Sequence, residues 1–377
     1  MAPMLPAPGS GRMSLTAVMP GCLAALAGEE SGLPPVDRAV VVLVDGLGSA
    51  ALRARAGHAR HLVQGWRKKD VVDVGFPTTT AASITSLTTG VRAGEHGLVG
   101  YSALDPANDR VLKLLSGWDA RSVPEEWQPV PTAFERATAA GVPAFVVGSA
   151  RYAGSGFSRA ALRGATFVAA ESIADRFATT RALLDRMPRA LVYLYVPELD
   201  QTAHAHGWQS DRWLRALEEL DAAAGPFLAR LGPREGALIT ADHGIVDVPA
   251  ESQVLFDRVP ELVAGVRHVA GEPRCLHLHL EPGTDADALA DAWRASEGTR
   301  AHVATRAEAV AADWYGPLRP GVEERIGDVV VATRALIAYY DGRPRDQGAR
   351  RMVGQHGSFS DEERLVPLIR AGAFARG

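Results

Sequence analysis

Five apolar runs of strand length punctuate the chain, and each ends at a turn or a polar residue. Ala39–Val44 reads AVVVLV and stops at Asp45-Gly46, and Val71–Phe76, Ala144–Ser149, Ala190–Val196 and Gly236–Thr240 are of the same kind. Runs without polar alternation are what strands buried on both faces look like. Helical stretches lie between them, at Ala81–Thr89, Thr132–Ala140, Ser172–Met187 and Trp208–Leu231. This alternation predicts a mostly parallel central sheet covered on both faces by helices. The apolar segment Leu15–Ala27 is interrupted by Pro20 and Gly21 and lacks a strongly basic lead-in, so it reads as a short helix ending near Gly28 and not as a signal peptide. No later stretch carries the 18 or more apolar residues of a membrane span.

Between Pro249 and Arg351 the rhythm changes to short alternating pieces such as Cys275–Leu280, an amphipathic stretch near Asp285–Ala295 and turn-rich text around Pro317–Pro320. Residues 250–350 are therefore expected to form a small inserted lid region, with Asp341–Arg351 an exposed loop. No repeat or low-complexity linker divides the chain, and 1–377 is read as a single domain.

The 377 residues are 47% hydrophobic and 22% charged, enough to bury a large core, which excludes disorder throughout. Lys plus Arg number 40 against 44 Asp plus Glu, so no bulk positive field draws the chain to nucleic acid or to a membrane surface. Any recognition of phosphate must be local. Cys22 and Cys275 are too few for a disulfide scaffold or a thiolate metal cluster, and a reducing, cytoplasmic setting fits.

The chemistry collects where apolar runs end: Val44–Gly46 (VDG), Pro197–Gly207 (PELDQTAHAHG), Thr240–Gly244 (TADHG) and Gly354–Gly357 (GQHG). The carboxyl ends of strands are where open α/β sheets bind ligands. Asp45, Asp200, His204, Asp242, His243 and His356 supply carboxylate oxygens and imidazole nitrogens that could form two ligand clusters for divalent ions. Asp200 and His204 fall on one face of a helical turn. Two neighbouring metals are a known clamp for displacement at phosphorus. In Phe76–Gly90, FPTTTAASITSLTTG, Thr80 lies near a helix start, where free N–H groups favour a phosphoryl group and metal coordination would activate its hydroxyl. Thr78 and Thr79 compete with it as N-cap or nucleophile.

Taken in order, VVLVDGLG, FPTTTAASITSLTTGVRAGEHGLVGY, ELDQTAHAHG, TADHG and GQHG resemble the alkaline phosphatase superfamily, in its type I phosphodiesterase/nucleotide pyrophosphatase branch. The resemblance runs from about Val40 to His356. It implies a three-layer α/β/α sandwich with a mostly parallel central sheet, two divalent metals, usually Zn2+ with Mn2+ the alternative, and a covalent intermediate on Thr80, which matches the family's Pro-x-x-Thr pattern. Asp45, Asp242, His243 and Thr80 are then the ligands of one metal, and Asp200, His204 and His356 those of the other. Ser83 and Tyr101 stand where family members carry Asn, and with Thr79 they are assigned to substrate binding. The implied function is a metal-dependent phosphodiesterase or pyrophosphatase acting on a small-molecule phosphoester. A phosphomonoesterase, phosphonate hydrolase or phosphomutase would use the same motifs, and a non-catalytic binding protein retaining the fold is the rival of another class.

Other polar residues have plainer readings. His96 shapes a loop, and His206 supports the site without ligating. Cys275, His277 and His279 share one strand face and form a third candidate metal cluster, set against an ordinary strand. Arg343, Arg345, Arg350 and Arg351 are solubilising charge, and Trp118, Trp127 and Tyr101 either line a pocket or pack loops.

Overall fold

The computed structural model describes residues 5–6 and 11–376. Along the chain come strands β1 (Arg38–Val44), β2 (Ala144–Gly148), β3 (Thr166–Ala169), β4 (Ala190–Val196) and β5 (Glu235–Thr240). After them come β6 (Val266–Glu272), β7 (Cys275–Leu280), β8 (Ala301–Thr305), β9 (Val329–Thr333) and β10 (Ile369–Gly372). The central sheet has the order β10-β5-β1-β4-β2-β3, parallel except for β10. Its register sets the site. Val44 pairs with Val196, and Leu43 with Thr240, so β1, β4 and β5 end side by side and release their following residues at one edge.

Helices α1 (Val18–Ala27), α2 (Thr80–Thr89), α3 (Ala133–Ala139) and α4 (Gly156–Ala161) pack together on one side of the sheet. Helices α5 (Ile173–Arg186), α6 (Glu198–His206) and α7 (Asp211–Ala229) pack together on the other, giving the expected three layers. Among the described residues no helix is long and apolar enough to cross a membrane.

Three local readings need correction. The run Val71–Phe76 is a strand only over Val71–Asp73, and it pairs with Met13–Ser14 and Leu365–Pro367 in a separate small sheet. Asp73 Oδ1 accepts the Gly75 N–H at 3.0 Å, which turns the chain before Phe76 can extend it. The helix expected from Trp208 starts at Asp211 because the Ser210 hydroxyl caps it by accepting the Trp213 N–H. The edge strands β3 and β10 carry too little buried apolar sequence to show as runs: β3 has no fully buried residue.

Within residues 250–350, β6-β7-β9-β8 form an antiparallel sheet. One face packs on helix α8 (Ala286–Glu297) through Leu276, Leu278, Val331 and Trp293. The other, through Cys275, Val330 and Ala332, shares a cluster with Phe76, Ala81 and Ala82 at the start of α2. Buried Arg274 in the β6–β7 turn is paired with buried Glu363 by two 2.8 Å bonds, tying this sheet to the segment after His356.

Candidate active site

Each site residue arrives from the end of an element. Asp45 follows β1 and is held by the hydroxyl of Tyr195, near the end of β4, which donates to Asp45 Oδ2. Gly46 turns the chain at φ +74°, and a Cβ there would stand 3.0 Å from Asp200 Cβ, so only glycine lets the turn after β1 approach Asp200 so closely. Asp242 and His243 follow β5, and α6 sets Asp200 and His204 one turn apart. The short pairing of Val246–Asp247 with Gly354–Gln355 brings His356 beside them, its ring stacked on His243 at 3.7 Å. Thr80 opens α2. Thr79, the N-cap, makes no side-chain cap bond, so the first N–H groups of α2 are left for another acceptor.

The three histidines share one tautomer. His204 Nδ1 lies 2.8 Å from Gly354 O, His243 Nδ1 3.0 Å from Gly244 O and His356 Nδ1 2.8 Å from Thr78 O. A carbonyl only accepts, so each Nδ1 carries the hydrogen and each Nε2 presents a bare lone pair. Those lone pairs face oxygen: His204 Nε2 is 3.3 Å from Asp200 Oδ2, His243 Nε2 is 3.4 Å from Asp45 Oδ1 and 3.6 Å from Asp242 Oδ2, and His356 Nε2 is 4.0 Å from Asp200 Oδ1. Asp45 Oδ1, Asp200 Oδ1 and Asp242 Oδ2 are buried without a hydrogen-bond partner. Lone pairs converging on lone pairs repel unless a cation lies between them, so the donor set fits divalent metal, with each imidazole oriented by a backbone carbonyl as metal ligands are.

Two groups have ligand atoms within 4.8 Å of one another: Asp200, His204 and His356, and Asp45, Asp200 and His243. Asp200 thus belongs to both, and Asp242 Oδ2 borders the second, 3.6 Å from His243 Nε2. Asp242 Oδ1 is occupied by the N–H groups of Gly46 and His243, at 3.3 and 3.1 Å. Burial, and then the neighbouring carboxylates Asp242 and Asp200, push Asp45 well above the usual carboxylate range. Burial raises Asp242 as well. Burial, and then the His243 and His204 rings, hold His356 well below the usual imidazole range. Thr80 Oγ1 lies 3.1 Å from His243 Nε2. Thr78 is spent differently, donating to Ser358 O and accepting from Gly357 N.

A cavity of about 960 Å³ opens over the site, and Asp45, Thr80, Tyr101, Asp200, His204, Glu272 and His356 are among its walls. Of the residues assigned to substrate, Tyr101 lines it. Thr79 and Ser83 do not, although both are buried with unpartnered hydroxyls. Sequence reasoning missed Tyr195 and Glu272. The first is one of two hydroxyls in an otherwise apolar run, a visible signal. The second ends β6, 3.4 Å from His356 Nδ1, with no sequence signal at all. His96 donates to Ser86 and accepts from Leu98 N, a loop clamp, and His206 is exposed beside Arg212. His277 is engaged by Tyr315 and Gly327, and no metal group includes Cys275, His277 or His279 among the described residues. Trp118 and Trp127 pack edge to face on each other outside the cavity.

The sandwich, the strand-end Asp/His clusters and the threonine at a helix start define a member of the alkaline phosphatase superfamily. Residues 39–359 match the family of type I phosphodiesterases and nucleotide pyrophosphatases, and the chain belongs to it. Murine ectonucleotide pyrophosphatase/phosphodiesterase 5 superposes with a TM-score of 0.69 at 17% identity, over 89% of this chain and 88% of its own. Phosphonoacetate hydrolase from Sinorhizobium meliloti 1021, solved with phosphonoformate, also gives 0.69, at 19% identity over 90% and 91%. In sequence, the phosphopentomutase of Anaeromyxobacter dehalogenans (strain 2CP-C) is 36% identical over 135 residues, 36% of this chain and 33% of that protein. The match spans about a third of the curated relatives' length.

Proposed function

We propose that the protein is a metal-dependent phosphoric ester hydrolase of phosphodiesterase type, with Thr80 as nucleophile. The observation that carries the reading is the convergence of three Nε2 lone pairs with three unpartnered carboxylate oxygens, the Thr80 hydroxyl standing 3.1 Å from one of them, His243 Nε2. Asp45, Asp242 and His243 would hold one divalent ion with Thr80, and Asp200, His204 and His356 the other; mixed imidazole and carboxylate donors suit Zn2+, with Mn2+ the alternative. Such ions supply Lewis acidity and neutralise charge on phosphoryl oxygens. The chain's own groups do the rest. Thr80 Oγ1 stands 3.1 Å from His243 Nε2, so the hydroxyl gives up its hydrogen where both hold the same ion; the first turn of α2 offers N–H groups to phosphoryl oxygens, and Tyr195 fixes Asp45. Attack by Thr80 Oγ1 forms its bond to phosphorus as the ester P–O bond breaks, and the alcohol leaves with the proton that Thr80 gives up; water then cleaves phosphothreonine to phosphate or monoester and returns a proton to Thr80.

In this reading 1–377 is one catalytic domain and 250–350 an insertion whose residues Gly271–Pro273, at the end of β6, wall the cavity. The buried free thiols Cys22 and Cys275 suit a cytoplasmic setting. A phosphomutase is the second reading, supported by the relatives of that name. The test compares bis(p-nitrophenyl) phosphate, p-nitrophenyl phosphate and pentose 1-phosphate. Preference for the diester, its loss in Thr80→Ala at unchanged metal content, and phosphothreonine at position 80 in acid-quenched parent are expected. Full diester hydrolysis in Thr80→Ala would move the nucleophile elsewhere, and faster isomerisation of the pentose ester would favour the mutase.

A further inference from the structure

The cavity does not end at the metal-binding side chains; it runs from them along one face of the central sheet. Val146 of β2 pairs with Tyr193 of β4 on one side and with Phe167 of β3 on the other, so the three side chains stand abreast on one face. Gly148, two residues beyond Val146, shares that face and contributes no side chain. A Cβ there would meet only Phe167, at 3.5 Å, so the space above it is open. The opposite wall comes from Ile84 of α2, Phe157 of α4 and Leu162. Ile84 follows Thr80 by four residues and so lies one helical turn below the nucleophile. The result is an apolar recess continuous with the reacting centre, in a cavity whose 960 Å³ is at the upper end for small-molecule sites and far larger than a phosphoryl group requires.

We infer that this recess receives the alcohol portion of the phosphoester, and that this portion is a long aliphatic chain; the inference rests on the hydrolase reading of Thr80. A nucleobase is the alternative occupant, and the walls argue against it. A base needs several donors and acceptors along its edge, whereas the floor offers one unpartnered polar atom, the buried Tyr193 hydroxyl. Ser158 is already committed, donating to Tyr152 O at 2.7 Å. The cations among the cavity walls, Lys113 and Arg151, come from outside this floor, and Arg151 is stacked over Tyr152 at 4.7 Å.

The test is calorimetric titration of the zinc-loaded protein with n-alkylphosphonates from methyl to decyl, with AMP alongside. At about 0.8 kcal/mol per buried methylene, affinity should rise about fourfold with each carbon until the recess is full. Gly148→Ile, which adds side chain to the recess at a position free of backbone strain, should flatten that slope, and Phe167→Ala should carry it to longer chains. Displacement of cis-parinaric acid from metal-free protein by decanoate reads the recess without the metals. It should succeed in the parent and fail in Gly148→Ile. A slope near zero in the parent, equal slopes in parent and both variants, or AMP binding more tightly than decylphosphonate would overturn the inference. Absence of ester hydrolysis with the slope and displacement intact would defeat the Thr80 reading and leave the apolar ligand assigned.

Discussion

Acid should unfold this protein more steeply than its carboxylates account for, because His96 and His277 are buried in a form that has no room for a second proton. His96 Nδ1 accepts the Leu98 N–H at 3.1 Å while Nε2 faces the Ser86 hydroxyl at 3.0 Å. His277 repeats the pattern, with Gly327 N–H on Nδ1 at 3.4 Å and Tyr315 on Nε2 at 3.0 Å. Protonating Nδ1 would break the backbone bond and place a charge in a fully enclosed site. Burial accordingly pulls each of them from 6.5 down to about 3. The folded state therefore stays neutral where the unfolded chain takes up a proton, so the stability present above pH 6.5 is lost as pH falls through 6.5 and continues to fall toward 3. At about 1.36 kcal/mol per pH unit, each histidine costs about 2 kcal/mol at pH 5, about 4 for the pair. His279, also lowered to about 3, adds a similar amount. Urea unfolding of the parent and His96→Gln, at equal metal load and at pH 7.5, 6 and 5, isolates the effect. The variant is less stable at neutral pH by about 1 kcal/mol for the lost hydrogen bonds, and at pH 5 it should be level with or above the parent. Parallel pH profiles would refute the reasoning.

Three further outcomes follow from the geometry. Glu363→Gln leaves Arg274 charged and unpaired in the core, a loss of about 3–5 kcal/mol by urea titration; the double variant Arg274→Met, Glu363→Met should cost less than the sum of the singles, and strict additivity would show that the two groups do not act as a pair. Burial pushes Glu363 up, but Arg274 more than offsets it and the carboxyl sits below its ordinary value, so this stability is present above about pH 4.5 and fades as pH drops below it. Gly46→Ala forces alanine into φ +74° at about 1–2 kcal/mol and crowds Asp200, so zinc content per chain by plasma emission should fall below the parent's. Tyr195→Phe removes the donor that fixes Asp45, and zinc affinity in a chelator competition should weaken 10- to 100-fold; an unchanged affinity would show that Tyr195 does not orient the ligand.

The central strands were legible because they are buried on both faces: β1 and β4 lie where AVVVLV and ALVYLYV place them, to within one residue. Edge strands obey a different rule. β10 is mostly half-buried and pairs on one side, so its sequence need not be continuously apolar, and nothing in IRAG distinguishes it from a loop. The turn at Asp73-Gly75 was visible as residues and misread as pattern: VVDVGF is apolar by count, yet a side-chain carboxylate bonding two residues ahead outweighs the apolar tendency of Val74 and Phe76. The insertion was legible as a change of rhythm and no further, since an antiparallel sheet with one face on α8 and the other on the body needs partners that sequence spacing does not reveal.

The candidate site divides along the same line. Strand-end position is a one-dimensional property, and it brought Asp45, Asp200, His204, Asp242, His243 and His356 to one place. Histidine tautomer is not. His243 is oriented by the carbonyl of its own neighbour, Gly244, but His204 is oriented by Gly354 and His356 by Thr78, residues 150 and 278 positions away. His96 and His277 take the opposite tautomer because a backbone N–H, not a carbonyl, meets Nδ1. That one difference separates a ligand from a clamp: with Nδ1 donating to a carbonyl, the free lone pair at Nε2 is aimed into the centre, and with Nδ1 accepting, Nε2 holds the hydrogen and can only brace a neighbour. Glu272 was invisible for a related reason, since its place beside His356 depends on the β6–β7 turn docking where residues 354–357 pass, a contact made only once both sheets are in position.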